Sequence, residues 1–290
     1  MLKPCFSLFV VFLLLLSSCE KAVIDDVKDE EGRKTEGNLT VTVSQIEQIP
    51  FETFTRSELS EACSRLNFAV YDLSGSRVDQ VNQKSDDAVF GTATFQLPEG
   101  TYQLVALAHS SNGNPTMTNP AKIQFTNAQG FTDTFLYYGQ ITIGQSSQSL
   151  SLNLHRIVSM CRFVVTDEIP EKVSRMRFQY KGGSGAFDAT SGLGCVNSTQ
   201  TVTFDVDNEM RQFDLYTFLH NAEGTIHLQA TACDAQDNTI LERDFDIPMR
   251  QNRITKYSGE FFTDAPSSSN AMTSTVTIDT KWDGEDALTY

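Results

Sequence analysis

The chain has 290 residues, with 22 lysines and arginines against 37 aspartates and glutamates, which gives a formal net charge of −15. A surface this acidic repels phosphate backbones, so we expect no nucleic-acid partner. The length leaves room for two domains of ordinary size once a leader segment is removed.

The first nineteen residues have the pattern of a secretory signal peptide. Lys3 precedes an apolar run from Phe6 to Leu16, which two serines and Cys19 follow. The run is too short to span a bilayer, and its end has the form of a bacterial lipobox, in which the cysteine thiol takes a diacylglycerol through a thioether. We predict that residues 1–18 are removed and that Cys19 is lipidated. A plain signal peptide with an incidental cysteine is the alternative.

Acidic side chains crowd the segment after Cys19, and few apolar ones accompany them. Such a composition cannot bury enough surface to order itself, so we predict that residues 19–37 form a flexible tether. The acidic side chains are Glu20, Asp25, Asp26, Asp29, Glu30 and Glu31.

Past the tether, apolar residues mostly recur at every second position, the period of a half-buried strand. The first such strand runs from Leu39 to Ile46 and presents Leu39, Val41 and Val43 on one face. A short helix is predicted around residues 57–64. Residues 102–108 are apolar on both faces, which predicts a strand covered on both sides. Residues 110–120 carry Gly113, Pro115 and Pro120 and are predicted to form a loop.

The alternation changes phase between Leu154 and Ile157, which predicts a bulge or a change of sheet. We place a domain boundary there, with an N-terminal domain at 38–155 and a C-terminal domain at 156–290. Because no long linker separates the two, we expect a stiff connection. Each half offers seven or eight short strands separated by turns, and this predicts an all-β chain of two β-sandwiches.

The last predicted strand follows a Pro/Ser linker at 265–270 and contains Val276, Ile278 and Trp282. This strand and the Leu39–Ile46 strand lie at the two ends of the mature chain. A strand that leaves its sheet exposes an edge on which another chain can pair, and strand donation is one way in which subunits join. We interpret both strands as candidates for exchange; pairing of both within their own domains is the alternative.

For every group of potentially reactive side chains in the sequence, a purely structural role explains the residues better than a catalytic or metal-binding role. The four histidines are scattered, and the glycine-rich segment 181–185 lacks the ending and the following helix of a phosphate loop. The aspartate pairs at 205/207 and 234/237 lack the pattern of a dedicated calcium loop. We therefore expect no catalytic residue, no metal and no cofactor. The cysteines at 63, 161, 195 and 233 permit disulfides, but buried free thiols are favoured.

Several short motifs, in their order along the chain, resemble the fimbrillin superfamily of type V fimbriae in Bacteroidetes-type bacteria, nearest to its lipoprotein anchor and minor-subunit branch. The likeness covers about residues 19–262. Besides the lipobox, it rests on Phe90–Tyr102, Leu154–Arg156, Ile169–Pro170, Gly182–Asp188 and Asn252–Phe262.

The resemblance implies two transthyretin-like β-sandwiches, export as an outer-membrane lipoprotein, and assembly with other fimbrial subunits by strand exchange. It also implies that an Arg-specific protease removes the first strand of shaft subunits; Arg56 lies where such a cut would fall, and Arg33 is the other candidate. In an anchor subunit Cys19 stays on the chain and Arg56 is not cut, whereas a cut after Arg56 discards the lipid.

The function expected from these observations is that of a surface-exposed lipoprotein that anchors or builds a fimbria and supports adhesion, without catalytic activity. The alternative is an outer-membrane glycan-binding lipoprotein of a nutrient-uptake system, which an exposed aromatic cluster on one sandwich face would favour. A hydrolase, marked by a buried carboxylate or histidine pair in a cleft, is a more distant third.

Overall fold

The computed structural model describes residues 37–46, 56–126, 131–207, 209–263, 275–277 and 285–289. Most of these residues lie in strands, and the one helix among them, α1 (Arg56–Ala62), has seven residues. Within these ranges no helix is long and apolar enough to cross a membrane. The prediction of an all-β fold is confirmed, as is the short helix near residue 57.

Seven strands from the first half of the chain form one sheet that folds back on itself. Its order is β3-β2-β5-β8-β9-β1-β4. The turning point is β9, which pairs with β1 over most of its length and with β8 at its last two residues. The strands are β1 (Leu39–Ile46), β2 (Arg65–Tyr71), β3 (Arg77–Lys84), β4 (Thr92–Phe95), β5 (Gly100–His109), β8 (Thr134–Ile143) and β9 (Gln148–Arg156).

The two layers of this folded sheet enclose an apolar core. One layer contributes Val41 and Leu152, the other contributes Phe68 and Leu104, and all four are fully buried. The opposite faces of β2 and β5 are buried as well, through residues such as Ala69 and Leu107. The predicted burial of both faces around residues 102–108 is therefore confirmed.

The second half of the chain forms two facing sheets, with orders β15-β10-β18-β20-β19 and β14-β11-β16-β17. Their core is rich in phenylalanine; the ring centroids of Phe163 and Phe178, for example, lie 5.3 Å apart. The strands are β10 (Ser159–Val165), β11 (Arg175–Lys181), β14 (Gln200–Asp205), β15 (Gln212–Thr217), β16 (Glu223–Cys233), β17 (Thr239–Arg250), β18 (Ile254–Gly259), β19 (Thr275–Thr277) and β20 (Glu285–Thr289).

A fourth sheet, to which each half contributes two strands, joins the halves. Its order is β13-β12-β7-β6, with β6 (Thr116–Asn119), β7 (Lys122–Gln124), β12 (Ala186–Asp188) and β13 (Leu193–Gly194). Beneath it a third apolar cluster contains the rings of Phe125, Phe187 and Phe218. This shared sheet and core form what we call the junction.

Where the apolar phase changes, the chain changes sheet. Leu154 at the end of β9 packs in the first core, whereas Ile157 packs in the junction. The predicted change of sheet is confirmed. The division into two domains at residue 155 stays a prediction, because residues Glu36–Tyr290 form one compact unit that includes the shared sheet.

Arg156 and His109 are two of the buried polar side chains next to the junction. The Arg156 side chain is 3% exposed and makes two bonds to the Asp133 carboxylate, from Nε at 2.7 Å and from Nη2 at 2.8 Å. His109 is fully buried, with Nε2 2.7 Å from Asn67 Oδ1 and with Nδ1 accepting the Ser111 N–H. Burial lowers the pKa of His109 to about 3, so the ring is neutral at physiological pH.

The glycine-rich segment at 182–185 allows close packing of neighbouring strands. Gly182 has φ +96°, and a Cβ there would lie 2.3 Å from the Thr225 carbonyl oxygen. At Gly183 a Cβ would lie 2.0 Å from Thr217 Oγ1. Position 182 needs glycine, because only glycine both adopts a positive φ easily and lacks the Cβ that would clash. The segment then leads Phe187 into the junction core.

Several elements differ from the sequence-based expectations. The predicted loop at 110–120 contains β6, and polar strand β3 was not predicted. The alternation at Phe245 and Ile247 predicts a strand that ends before Pro248, but β17 continues through this residue; β17 is an edge strand, where proline is tolerated. The chain also continues past the predicted last strand into β20.

Candidate functional site

The first strand lies inside its sheet, between β9 and β4. It runs parallel to β9, with Leu39 opposite Gln148 and Ile46 opposite Leu154. It runs antiparallel to β4, with Leu39 opposite Phe95. If β1 were removed, a groove with two unpaired strand edges would open between β4 and β9.

The residues predicted for exchange on β1 all point into the core. Leu39, Val41 and Val43 are exposed by 1%, 0% and 4%, and Ile46 is fully buried. Burying one such aliphatic side chain stabilises a fold by roughly 1.5–3 kcal/mol relative to leaving it in water. The structure thus brings Leu39, Val41 and Val43 together as the apolar row that the alternation predicted, and the register shift after Val43 adds Ile46 to it.

Side chains fasten β1 at both of its ends. At the start, Asn38 Nδ2 donates to the Leu97 carbonyl at 2.7 Å, and the Leu97 N–H donates to Asn38 Oδ1 at 2.9 Å. Near the end, Ser44 Oγ lies 3.1 Å from the Leu152 carbonyl oxygen and 3.0 Å from Asn153 Oδ1, at a register shift between Val43 and Gln45. We call these two groups the end contacts of β1.

Arg56, the predicted cleavage position, is the first residue of α1. The helix is anchored beyond that point by Leu59 and Cys63, which are 2% and 1% exposed. A cut after Arg56 would therefore separate β1 from a segment that has its own core contacts. Cys19 and Arg33 lie outside the described residues, so their predicted roles stay predictions.

The C-terminal candidate strand lies at one edge of the second half. Val276 is in β19, which pairs antiparallel with β20, and β20 pairs parallel with β18. Among the described side chains of β20, Leu288 is buried at 6% exposure, and Ser258 Oγ donates to its carbonyl at 3.3 Å. Ile278 and Trp282 lie outside the described residues. In the described parts of this segment, both strands therefore pair with strands of the same chain.

One carboxylate fixes the chain just before that C-terminal segment. Asp167 accepts the backbone N–H groups of Phe261, Phe262 and Thr263 at 2.8, 2.6 and 2.8 Å. Burial alone would raise its pKa, but these N–H groups bond the ionised carboxylate and hold the pKa of Asp167 below its usual range.

We expect Asp167→Asn to lower the free energy of unfolding at neutral pH by about 2 kcal/mol, since bonds to a charged acceptor are stronger than those to an amide. A depressed folded-state pKa stabilises the fold above the unfolded-state pKa of about 3.9, and this contribution is lost as the pH falls through the folded-state pKa. Urea unfolding from about pH 7 to pH 3 should therefore show the difference shrinking at the acidic end.

The control for that prediction is Glu168→Gln, a change at the exposed neighbouring residue. It should alter stability by less than about 0.5 kcal/mol. A difference between Asp167→Asn and the wild type that persists unchanged at the acidic end would contradict the assigned role of the carboxylate.

The remaining candidates from the sequence have ordinary structural surroundings. The described cysteines are free; Cys63, Cys161 and Cys233 are buried and Cys195 is exposed. Arg175 lies between the carboxylates of Asp205 and Asp237, 3.9 Å from Asp205, while the Asp234 carboxylate accepts the N–H groups of its own turn.

His227 pairs with the Asp246 carboxylate on an exposed face. In the described ranges, the large exposed apolar side chains are Leu73, Val78 and Val89. They include no aromatic residue of the kind that would favour the glycan-binding alternative.

Sequence reasoning missed the end contacts of β1 and the Asp167 contact. An Asn directly before a predicted strand, and a Ser within it, are weak local signals. The partners are distant in sequence, 59 residues away for Asn38 and 94 to 96 residues away for Asp167. Only the sheet register brings them together.

The fold and the site define a β-sandwich protein whose candidate site is a strand in its groove rather than a pocket of reactive side chains. The family model of the fimbrillin-A associated anchor proteins Mfa1 and Mfa2 matches residues 31–286. The chain therefore belongs to that family, as its motifs indicated.

Solved structures that the chain resembles come from Bacteroides ovatus and Porphyromonas gingivalis. A candidate adhesin from Bacteroides ovatus is 14% identical, with a TM-score of 0.47 over 71% of this chain and 82% of that one. The fimbrial anchor protein Mfa2 from Porphyromonas gingivalis is 11% identical, with a TM-score of 0.42 over 71% and 81%. The truncated tip fimbrial protein Mfa3 from the same organism is 12% identical, with a TM-score of 0.40 over 78% and 95%. No curated protein matches the sequence.

Proposed function

We propose that this fimbrium-associated protein is a lipid-anchored subunit that holds the fimbria to the outer membrane. Its family supports a fimbrial role, and the lipobox ending at Cys19 supports the anchor. The lipid joins the fold through residue 37 and then β1. An uncut chain keeps its lipid, whereas a chain cut after Arg56 keeps it only for as long as β1 stays in its groove.

The observation that carries the proposal is the fastening of β1. Its apolar row is buried, it has a strand on each side, and the end contacts hold both of its ends. A subunit that keeps its own first strand offers no open groove to a strand of the next subunit. It would thus end the fimbria and limit its length, with Arg56 left uncut.

Strand exchange with the neighbouring subunit would then involve the other end of the chain. The β19–β20 pair lies at a sheet edge and, among its described side chains, buries Leu288. Donation of this segment to the groove of an adjacent subunit would join the anchor to the shaft. The assembled fimbria would support adhesion at the cell surface.

A disulfide that locks β1 in place tests this proposal. Thr42 on β1 faces Thr92 on β4, with their Oγ1 atoms 3.3 Å apart. Because the next residue, Val43, donates its N–H to Gly91, the Thr pair is of the closely spaced, non-hydrogen-bonded type that a disulfide can bridge. We expect cells carrying Thr42→Cys/Thr92→Cys with Cys195→Ser to retain as many fimbriae after oxidation as wild-type cells do.

The matched control is Thr101→Cys/Thr142→Cys, a similar threonine pair between β5 and β8 with Oγ1 atoms 3.4 Å apart. If the β1 lock alone releases or prevents fimbriae, and a reductant restores them, then β1 has to leave its groove. The protein would then be a subunit that accepts a strand, not the anchor.

A further inference from the structure

We propose that β1 carries mechanical force, placed so that a pull between the membrane and the fimbria acts along its length. This inference rests on the proposed function, since it takes the lipid as one point of attachment. It adds a mechanical role for the register of β1 against β9 and β4.

The chain enters and leaves the first half at opposite ends of this strand pair. The tether enters at residue 37, beside Leu39, and Leu39 lies opposite Gln148 at the start of β9. The second half begins directly after β9, because only Ile157 and Val158 separate β9 from β10. Since β1 and β9 are parallel, the second half lies beyond the end of β1 that is remote from the tether.

A force applied between the tether and the second half therefore slides β1 lengthwise against both neighbours. All hydrogen bonds of a parallel ladder then carry the load together, whereas a force applied at one end breaks them in turn. Sliding also has to drag the four buried side chains of β1 through the core. Forced unfolding is governed by this barrier rather than by equilibrium stability.

The connection from β9 to the second half is held firmly where it leaves the first half. Arg156, the last residue of β9, is held by the Asp133 carboxylate, and the Ile157 N–H donates to the Thr134 carbonyl at 3.1 Å. The shared sheet of the junction runs beside this connection, with Ala186 opposite Gln124. At the other end, the Asn38 contact with Leu97 ties the entry point of β1 to the chain following β4.

Single-molecule pulling on the mature chain tests the inference, with Cys19→Ala and an N-terminal handle. In the first geometry the second handle is attached at the exposed native Cys195 in the second half. In the second geometry it is attached at Ser149→Cys, with Cys195→Ser. Ser149 is exposed and lies opposite Thr40, so this force acts at the same end of β1 and β9 and peels them apart.

We expect the first rupture in the Cys195 geometry to need at least about twofold more force than in the Ser149 geometry. Release of β1 frees the chain from Leu39 to the start of α1, about 17 residues or roughly 60 Å of added length. Asn38→Ala should lower the rupture force in the Cys195 geometry.

Equal forces in the two geometries would overturn the inference, as would a first rupture in the Cys195 geometry that leaves β1 in its groove. Because the pulling experiment needs no fimbria, such a result would leave the proposed function intact. Conversely, loss of fimbriae from cells with the locked strand would refute the anchor role whatever the measured forces are.

Discussion

Replacing Arg156 with alanine should lower the free energy of unfolding by about 2–3 kcal/mol, because a nearly inaccessible guanidinium loses its bonds and its packing while the Asp133 carboxylate, 28% exposed, is partly solvated. The guanidinium is nearly inaccessible and holds both carboxylate oxygens of Asp133. It also lies over the Phe135 ring, 4.7 Å from the centroid. Truncation leaves the Asp133 carboxylate without this partner and removes packing from the core.

The matched control is Arg162→Ala. Arg162 makes the same two-bond contact with Asp214, at 2.9 and 3.1 Å, but its side chain is 26% exposed. Solvent screens that pair, so we expect a loss of only about 1 kcal/mol. Equilibrium urea unfolding of the two variants at neutral pH makes the comparison. Equal losses of stability in the two variants would show that burial of the Arg156 side chain adds nothing to the stabilisation that its ion pair provides.

Arg156→Lys distinguishes charge from geometry. Lysine keeps the positive charge but cannot make the two parallel bonds that the planar guanidinium makes. We expect the lysine variant to recover only a part of the lost stability. Since Arg156 ends β9, at the point where the chain passes into the second half, the same variants should also weaken transmission of load through the junction.

The alternation of apolar residues was enough to locate most strands that bury one or both faces. It placed β1 at Leu39–Ile46, the range found in the structure, because period two is a local property. It failed for β3, where polar side chains fill most positions, and for β6, where proline and glycine neighbours favoured a loop. Strand β17 was cut short because proline usually ends a central strand, yet β17 is an edge strand.

The candidate site was only partly predictable, for a related reason. The buried row of Leu39, Val41 and Val43 follows from local alternation, and the lipobox at Cys19 is a local motif. The position of β1 between β9 and β4 depends on pairing with residues some 50 to 110 positions away. The β20 strand, which lies between β18 and β19, likewise depends on long-range pairing.

Lipidation at Cys19 should decide where the protein goes when cells are sheared. Several acyl chains on one cysteine hold a protein stably on a membrane, whereas removal of the thiol removes every chain. We expect Cys19→Ala to shift the protein almost completely from the outer-membrane fraction to the sheared fimbriae. Cys195→Ala, which removes an exposed cysteine of the folded body, should leave the distribution unchanged.

The most direct test of the anchor function is therefore to shear cells that carry the wild-type or the Cys19→Ala protein, and to determine where each protein is found and its N-terminal residue. The anchor function predicts wild-type protein in the outer membrane, beginning at Cys19, and the alanine variant in polymeric fimbriae released into the medium. Wild-type protein in the sheared fimbriae, beginning at Ser57 after a cut at Arg56, would instead identify a shaft subunit. Protein that stays monomeric in both strains would contradict a fimbrial role altogether.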